Sequence, residues 1–295
     1  MSDAPSPAVI EFRRLYAADR ELYTVLVREL ARNPSESLIV MGLWLWFERE
    51  GIPEVIGRIS SFCPKLINRL AEESVLCLDV VRNPNPGGPT KPVPIPVLCA
   101  FLETKLYPLF LCSYYGRMAA FHEVHKLVSN IYIPAMSDIM ERARRGELIG
   151  PGRALSLSRL NVDFGPAEDI VDVLDREMDR YERMIYVLFP ANVEPAITEV
   201  EVRQFLTMWF GLCVDTVHVH EAGPAELPVY ARICLRSTGY LKVMLDRTNS
   251  NRVLIDGKTV WLLRSLPRDN RIPMPCGCLA SECSITAPCP HRRNL

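Results

Sequence analysis

Residues 185–220 read IYVLFPANVEPAITEVEVRQFLTMWFGLCVDTVHVH, and this stretch decides the fold of the last third of the chain. Residues 185–189 are apolar with high β-propensity, which predicts a strand. Thr198 and Glu201 have the spacing of a capping box and Gly211 lies where a helix would end, so residues 198–210 predict a helix. Residues 214–220 alternate apolar and polar side chains and predict a second strand.

The residues that follow continue this alternation of strands and helices. A glycine and a proline at positions 223 and 224 predict a turn, and Asp256-Gly257 predicts a hairpin. The predicted elements are strands over residues 229–236, 252–255 and 259–264, with a helix over 238–247. With the final pair of short strands counted as one element, the order is β-α-β-β-α-β, the split arrangement of ferredoxin-like domains, in which two helices cover one face of a four-stranded antiparallel sheet. The other face of that sheet is expected to be open.

Two segments of this region resemble the RNA-recognition-motif (RRM) superfamily. The central-strand box of that family reads Lys/Arg-Gly-Phe/Tyr-Gly/Ala-Phe-Val-x-Phe/Tyr. Residues 228–235 read PVYARICL and match it at Tyr230, Ala231 and Ile233, while the basic residue, the glycine and two aromatic residues are replaced. The first-strand box begins with an aliphatic, an aromatic and an aliphatic residue, and the chain has IYV there, with Phe189 where Asn is usual. The region therefore resembles a degenerate RRM.

The resemblance implies which side chains would contact RNA. In the family pattern Tyr186, Tyr230 and Arg232 face outward and stack on bases, with Ala231 and Ile233 directed inward. Strand alternation adds His218 and His220 to the outward set, because Val217 and Val219 take the inward positions. The family register places Trp261 and Leu263 outward and Val260 and Leu262 inward. Lys258, Arg264 and Arg268, near the last strand, would supply phosphate contacts.

The first half of the chain shows helical periodicity. The apolar run of residues 38–47, LIVMGLWLWF, predicts a buried helix, with Ser35 or Ser37 as its cap. Residues 35–47 also resemble a plant group of poorly characterised proteins in which a helical region precedes a degenerate RRM. The fold class expected is α+β, an all-α domain followed by a ferredoxin-like βαββαβ domain. The predicted parts are a flexible N-terminus (1–8), the helical domain (9–150), a linker with a connecting helix (151–182), the RRM-like domain (183–271) and a Cys- and Pro-rich flexible tail (272–295).

Charge and composition restrict the function classes. The formal net charge of −1 gives no global attraction to nucleic acid, so RNA binding would need a local patch. Residues 180–229 carry 3 basic against 7 acidic side chains, whereas residues 230–271 carry 9 against 3. Neither a signal peptide, a lipidation motif nor an apolar run long enough for a bilayer is recognisable. We expect a nuclear or cytoplasmic protein without membrane contact.

Cysteine and histidine residues leave a metal site open as a minor alternative. The tail holds Cys276, Cys278, Cys283 and Cys289 followed by His291, without the paired Cys-x-x-Cys spacing of a zinc knuckle. His122 and His125 are three residues apart, whereas metalloprotease helices space their histidines by four. His218 and His220 are also able to chelate a metal from one strand face. We assign none of these sets a metal, and no cofactor or catalytic motif is recognisable.

The favoured hypothesis is a non-enzymatic RNA-binding protein that contacts single-stranded RNA through the open sheet, with the helical domain making protein contacts. The competing hypothesis is a protein-interaction scaffold, in which the RRM-like sheet is covered by a partner or by the chain's own helices. Exposed Trp261 and Leu263 would favour the second hypothesis, because apolar patches of this kind are common at protein interfaces.

Overall fold

The computed structural model describes residues 6–82, 94–103, 114–147, 167–190, 196–220, 228–245 and 250–266. The chain divides into two compact units, Met1–Met178 and Asp179–Leu295. No helix among the described residues is both long enough and apolar enough to cross a membrane.

Every regular element described in the first unit is a helix, which confirms the predicted helical region. The α-helices are α1 (Pro7–Leu15), α2 (Ala17–Thr24), α3 (Pro34–Arg49), α4 (Val55–Ser61), α5 (Pro64–Arg82), α6 (Pro96–Phe101), α7 (Tyr114–Leu127), α8 (Ile133–Arg144) and α9 (Ala167–Glu182), the last of which runs into the second unit. Two π-helical turns, Val25–Glu29 and Val128–Tyr132, follow α2 and α7. Pro134 lies in the first turn of α8, directly after the second π-helical turn, where its missing N–H costs no hydrogen bond.

Helix α3 forms the centre of the first unit. All of its residues from 40 to 47 are buried, as the apolar run predicted. The cap prediction was wrong: Asn33 caps α3, accepting the N–H groups of Ser35 and Glu36 through its side chain. A Cβ added to Gly42 would lie 2.5 Å from Cγ2 of Val128, so glycine here permits close packing between helices. The indole N–H of Trp44 donates to the Ser74 hydroxyl at 2.8 Å, which satisfies the one polar group of that ring.

Polar contacts join the first two helices to α8. Both guanidinium Nη atoms of Arg20 donate to the Asp138 carboxylate at 2.8 Å, and Arg13 lies 3.3 Å from it. Burial on its own would raise the pKa of Asp138, but the hydrogen bonds and charge of Arg20, together with Arg13, lower the pKa below its usual range. The Tyr132 hydroxyl donates to buried Asp19 at 2.8 Å. These contacts satisfy charges that would otherwise be costly beside an apolar core.

The second unit contains a five-stranded antiparallel sheet, which corrects the expected four strands. In chain order its elements are β1 (Met184–Leu188), α10 (Glu199–Phe210), β2 (Val214–Val219), β3 (Tyr230–Leu235), α11 (Gly239–Leu245), β4 (Ser250–Ile255) and β5 (Lys258–Leu263). The order across the sheet is β2-β3-β1-β5-β4. Both strands of the hairpin at Asp256-Gly257 join the sheet, since β5 pairs with β1 and β4 pairs with β5. The extra strand thus arises from a hairpin that the sequence predicts.

Helices α10 and α11 form one core with the sheet. The capping box is present, with Thr198 accepting from the Glu201 N–H and the Glu201 carboxylate accepting from the Thr198 N–H. Gly211 ends α10 at φ 72°, a left-handed conformation that favours glycine. The core residues of the sheet alternate with those of the opposite face, as predicted, and include Ile185, Val187, Ala231, Ile233, Val260 and Leu262, which cluster with Val202 and Leu206 of α10 and Met244 and Leu245 of α11.

Candidate functional site: the second face and free edge of the sheet

The face of the sheet opposite α10 and α11, here called the second face, carries the side chains that the sequence proposed as an RNA platform. Register places Tyr186 of β1 between Arg232 of β3 and Leu263 of β5, and it places Arg232 opposite His218 of β2. The predicted alternation is thus confirmed. The members of the second face are Met184, Tyr186, Leu188, Thr216, His218, Tyr230, Arg232, Cys234, Ser250, Arg252, Leu254, Thr259, Trp261 and Leu263, with His220 just beyond β2.

The aromatic rings of the second face are buried, contrary to the expected solvent-open platform. The exposed fractions of Tyr186, Tyr230 and Trp261 are 2%, 1% and 3%. The rings of Tyr186 and Tyr230 meet edge to face with centroids 5.9 Å apart, and Leu188 and Leu263 are buried on the same face. A sequence signal for this burial exists: every residue of β1 is apolar or aromatic, and a strand buried on both faces reads as a continuous apolar run.

Polar side chains border these rings. His218 is exposed and Arg232 is half-buried. His220, expected on an open surface, is buried and packs against Tyr230 with ring centroids 5.1 Å apart. Arg252 of β4, which the sequence did not single out, lies with its guanidinium 5.7 Å from the centroid of the Trp261 ring. Only the β2 border of the second face therefore presents an exposed predicted RNA ligand.

The predicted phosphate ligands do not lie together. Lys258 has the parity of the helix-covered face, where its ammonium lies 3.9 Å from the Glu201 carboxylate. Arg264 donates to the carbonyl oxygens of Met184 at 2.8 Å and Tyr181 at 3.3 Å, and it lies over the Tyr181 ring. Arg268 lies outside the described residues. Lys258 and Arg264, two of the three predicted phosphate ligands, therefore make contacts within the second unit.

An exposed apolar surface lies elsewhere, at the end of α10. Met208, Trp209 and Leu212 have exposed fractions of 78%, 69% and 71%, and we call these three residues the α10 corner. The Trp209 ring lies beside Phe205, with centroids 6.3 Å apart. The sequence holds a signal for this surface, because apolar residues in 205–210 outnumber those that one helix face can bury.

Strand β2, which begins two residues after the α10 corner, is one edge of the described sheet. The N–H of His220 donates to the Tyr230 carbonyl of β3 at 2.9 Å. Because the backbone groups of an antiparallel strand alternate in direction, those of Val217 and Val219 point away from β3, toward the edge. A register shift between Val214 and Thr216 marks a β-bulge at the start of this strand.

The proposed metal ligands give no cluster in the part of the chain that the structure describes. His122 and His125 are both exposed on α7, and the tail cysteines with His291 lie outside the described residues. No three Cys, His, Asp or Glu side chains of the described ranges are arranged to hold a metal ion.

The buried Cys77 thiol and the buried Glu73 carboxylate affect each other's surroundings in the helical unit. Burial, with the charges of Cys99 and Glu73, raises the pKa of the Cys77 thiol to about 12, so this thiol stays protonated at neutral pH. Burial also raises the pKa of Glu73, against the hydrogen bond it accepts from the Leu98 N–H at 2.7 Å and the charge of Arg69. Because Glu73 fixes the start of α6, its role is structural.

Comparison of the chain with protein-family models, with curated proteins and with solved structures finds no match.

Proposed function

We propose that this chain is a protein-interaction scaffold whose C-terminal unit has an RRM-like arrangement but does not stack nucleotides on its sheet. The burial of Tyr186, Tyr230 and Trp261 is the observation that carries this proposal. Base stacking requires that one face of a ring be open to the nucleotide. Rings that pack against one another inside the protein act as core.

The RRM-like arrangement is inferred from the order of the elements. Without the edge strand β4, the second unit reads β1, α10, β2, β3, α11, β5, which is the βαββαβ order. In this interpretation β5 takes the place of the fourth strand and β4 is an addition that extends the edge. The resemblance to the RRM superfamily then concerns the fold, while the chemistry of the second face has diverged.

The free energies of ring burial and of base stacking favour a packed second face over an RNA platform. Burying an aromatic side chain removes 150–250 Å² from water, which at about 25 cal/mol per Å² amounts to roughly 4–6 kcal/mol per ring. A stacked base returns roughly 1–3 kcal/mol. Uncovering Tyr186 and Tyr230 for RNA would therefore cost more than stacking recovers.

The α10 corner also supports the scaffold function, because it exposes apolar side chains to which a partner protein could bind. Tryptophan and methionine are enriched at the centres of protein interfaces, and the corner exposes one of each beside Leu212. The proposal thus places protein contacts on surface that is accessible.

A second candidate function is RNA binding at the border of the second face, favoured by exposed His218 lying opposite Arg232. Fluorescence anisotropy of the full chain with a random single-stranded RNA pool, at about 50 and 200 mM salt, separates the two functions. The scaffold proposal expects no saturable binding at either concentration. Binding that weakens steeply with salt and falls at least tenfold in the His218→Ala/Arg232→Ala variant would overturn it. Arg203→Ala, on the far side of the sheet and paired with Glu199, is the control for loss of one charge.

A further inference from the structure

We infer that Ser35 is a phosphorylation site and that Arg144 is the cation that holds the phosphate, so that the modification joins the start of α3 to the end of α8. This inference is independent of the scaffold function proposed above. Three observations carry it: an exposed serine hydroxyl, a guanidinium of a distant helix that donates to this hydroxyl, and Arg32 three residues before the serine.

The Ser35 hydroxyl is accessible, and the cap of α3 does not need it. The Asn33 side chain accepts the N–H groups of Ser35 and Glu36, so the cap is made by another residue. Ser35 is exposed, whereas Ser37 has an exposed fraction of 0%. A phosphate on Ser35 would therefore lie in water at the surface, while a phosphate on Ser37 would have to be buried at a high cost.

Arg144 places a positive charge at this hydroxyl. The Nη2 atom of Arg144 donates to the Oγ atom of Ser35 at 3.1 Å, across 109 positions of the chain. In the described parts of the chain Arg144 forms no ion pair, whereas Arg145 beside it pairs with Glu141 and Glu147. The charge of Arg144 therefore lies beside a neutral hydroxyl. Guanidinium groups bind phosphate through paired N–H donors, so the site suits a phosphate on this serine.

The acidic residue next to Ser35 already has a cationic partner. The Glu36 carboxylate lies 2.8 Å from Nη2 of Arg32, and Nη1 of Arg32 donates to the Asn68 side chain at 3.0 Å. A phosphate at residue 35 would therefore meet a carboxylate whose charge is compensated and a guanidinium whose charge is not. Charge-assisted hydrogen bonds of this kind are about twice as strong as neutral ones, so the phosphate would strengthen the contact between α3 and α8.

The residues before Ser35 match the charge pattern that one class of kinases selects. Arg32 lies three residues before the serine, in the segment 31–33 that belongs to no helix or strand. Serine kinases that prefer basic substrates recognise an arginine at this spacing by its charge. In the reaction the Ser35 Oγ attacks the γ-phosphorus of ATP, the Oγ–P bond forms and the bond from that phosphorus to the leaving ADP oxygen breaks. The hydroxyl proton passes to the catalytic aspartate of the kinase.

Incubation of the full chain with magnesium, ATP and a calmodulin-dependent serine kinase, which accepts arginine three residues before its serine, tests the site. Peptide mass spectrometry should locate one phosphate per chain at Ser35, and Ser35→Ala should lose it. Arg32→Ala should lower the initial rate by about tenfold or more. Arg145→Ala, which removes an exposed arginine paired with Glu141, is the matched control and should react as fast as the wild type. A chain that stays unmodified, or that carries phosphate only at other residues, would overturn the inference.

The role of Arg144 is tested separately in full chains that carry phosphoserine at position 35 from synthesis. Phosphorus NMR titration should give a lower pKa for the second ionisation of this phosphate with Arg144 present than in Arg144→Gln, because a nearby guanidinium favours the dianion. Arg142→Gln is the matched control, since Arg142 is exposed two residues away on α8, and it should leave the pKa as it is. An unchanged pKa in Arg144→Gln, or an equal rise in Arg142→Gln, would overturn the assigned partner.

Discussion

The second face of the sheet and the α10 corner are both rich in aromatic and large apolar residues, yet one is buried and the other is exposed. Tyr186, Tyr230 and Trp261 have exposed fractions of 1–3%, whereas Met208, Trp209 and Leu212 have 69–78%. Side-chain composition alone does not separate these surfaces. The two surfaces differ in whether their apolar area is buried in the folded chain.

The largest effect is expected from truncating a ring of the second face. Tyr230→Ala removes a side chain that contacts both Tyr186 and His220, and it should lower the free energy of unfolding by about 3–5 kcal/mol, as loss of a buried aromatic residue usually does. Urea unfolding of the full chain, with hydrogen exchange of the β1 and β3 amides, measures the loss. An effect below about 1 kcal/mol would mean that the ring is a surface group, and the contrast between the two surfaces would disappear.

Gly42, which has no side chain, tests in the helical unit how strongly stability depends on close packing. Gly42→Ala should destabilise the first unit by about 1–3 kcal/mol, because the new methyl group would lie 2.5 Å from Val128 and force the helices apart. Thermal unfolding followed by circular dichroism checks this expectation. Gly51→Ala is a poor control, since Gly51 has φ 99° and would be strained for a different reason. Exposed Ala119→Gly on α7 reports the backbone cost alone, about 1 kcal/mol.

Removing the Glu201 side chain near the start of α10 should have a smaller and pH-dependent effect on the free energy of unfolding. Glu201→Ala removes the half of the capping box in which the Glu201 carboxylate accepts from Thr198, and it should cost about 0.5–1.5 kcal/mol. Hydrogen bonds from the Thr198 hydroxyl and N–H, aided by the charge of Lys258, lower the pKa of Glu201. Its contribution is therefore complete above the unfolded-state pKa of about 4.3 and is lost as the pH falls through the folded-state pKa.

Comparing denaturant midpoints of the Glu201→Ala variant and the wild type at pH 7 and pH 3 checks the sign. The difference between the two proteins should shrink at the lower pH. Glu199→Ala, which breaks only an exposed pair with Arg203, should change stability by less than about 0.5 kcal/mol at either pH. A Glu201→Ala difference that grows at low pH would contradict the assigned cap.

Local patterns predicted the elements well, and the difficulty lay in assigning burial. The capping box, the turn at Gly211 and the Asp256-Gly257 hairpin all depend on neighbouring residues, so the sequence reveals them directly. Strand alternation also separated Tyr186 from Val187 and Arg232 from Ile233. Alternation states that two sets of side chains lie on opposite faces, but it does not state which face meets water. That outcome depends on contacts between residues far apart in the chain.

The count of strands failed for a related reason. The residues of β4 and β5 were both predicted, yet whether a hairpin adds one strand or two to a sheet depends on its pairing with β1. The charges of Lys258 and Arg264 were visible in the sequence, whereas their contacts with Glu201 and with the Met184 carbonyl were not. Long side chains near a strand end reach several partners, so position alone does not assign them to phosphate.

The smallest effect on stability is expected at the α10 corner, and it completes the comparison with the second face. Trp209→Ala should change the free energy of unfolding by no more than about 0.5 kcal/mol, because most of the ring is already in water and little apolar area is lost on truncation. The same urea unfolding experiment that is applied to Tyr230→Ala measures it. If Trp209→Ala destabilised the chain as strongly as Tyr230→Ala, the corner would belong to the core and would not be available for protein contacts. A stable Trp209→Ala variant would instead show that this exposed ring is not needed for folding, which leaves it available to a protein partner.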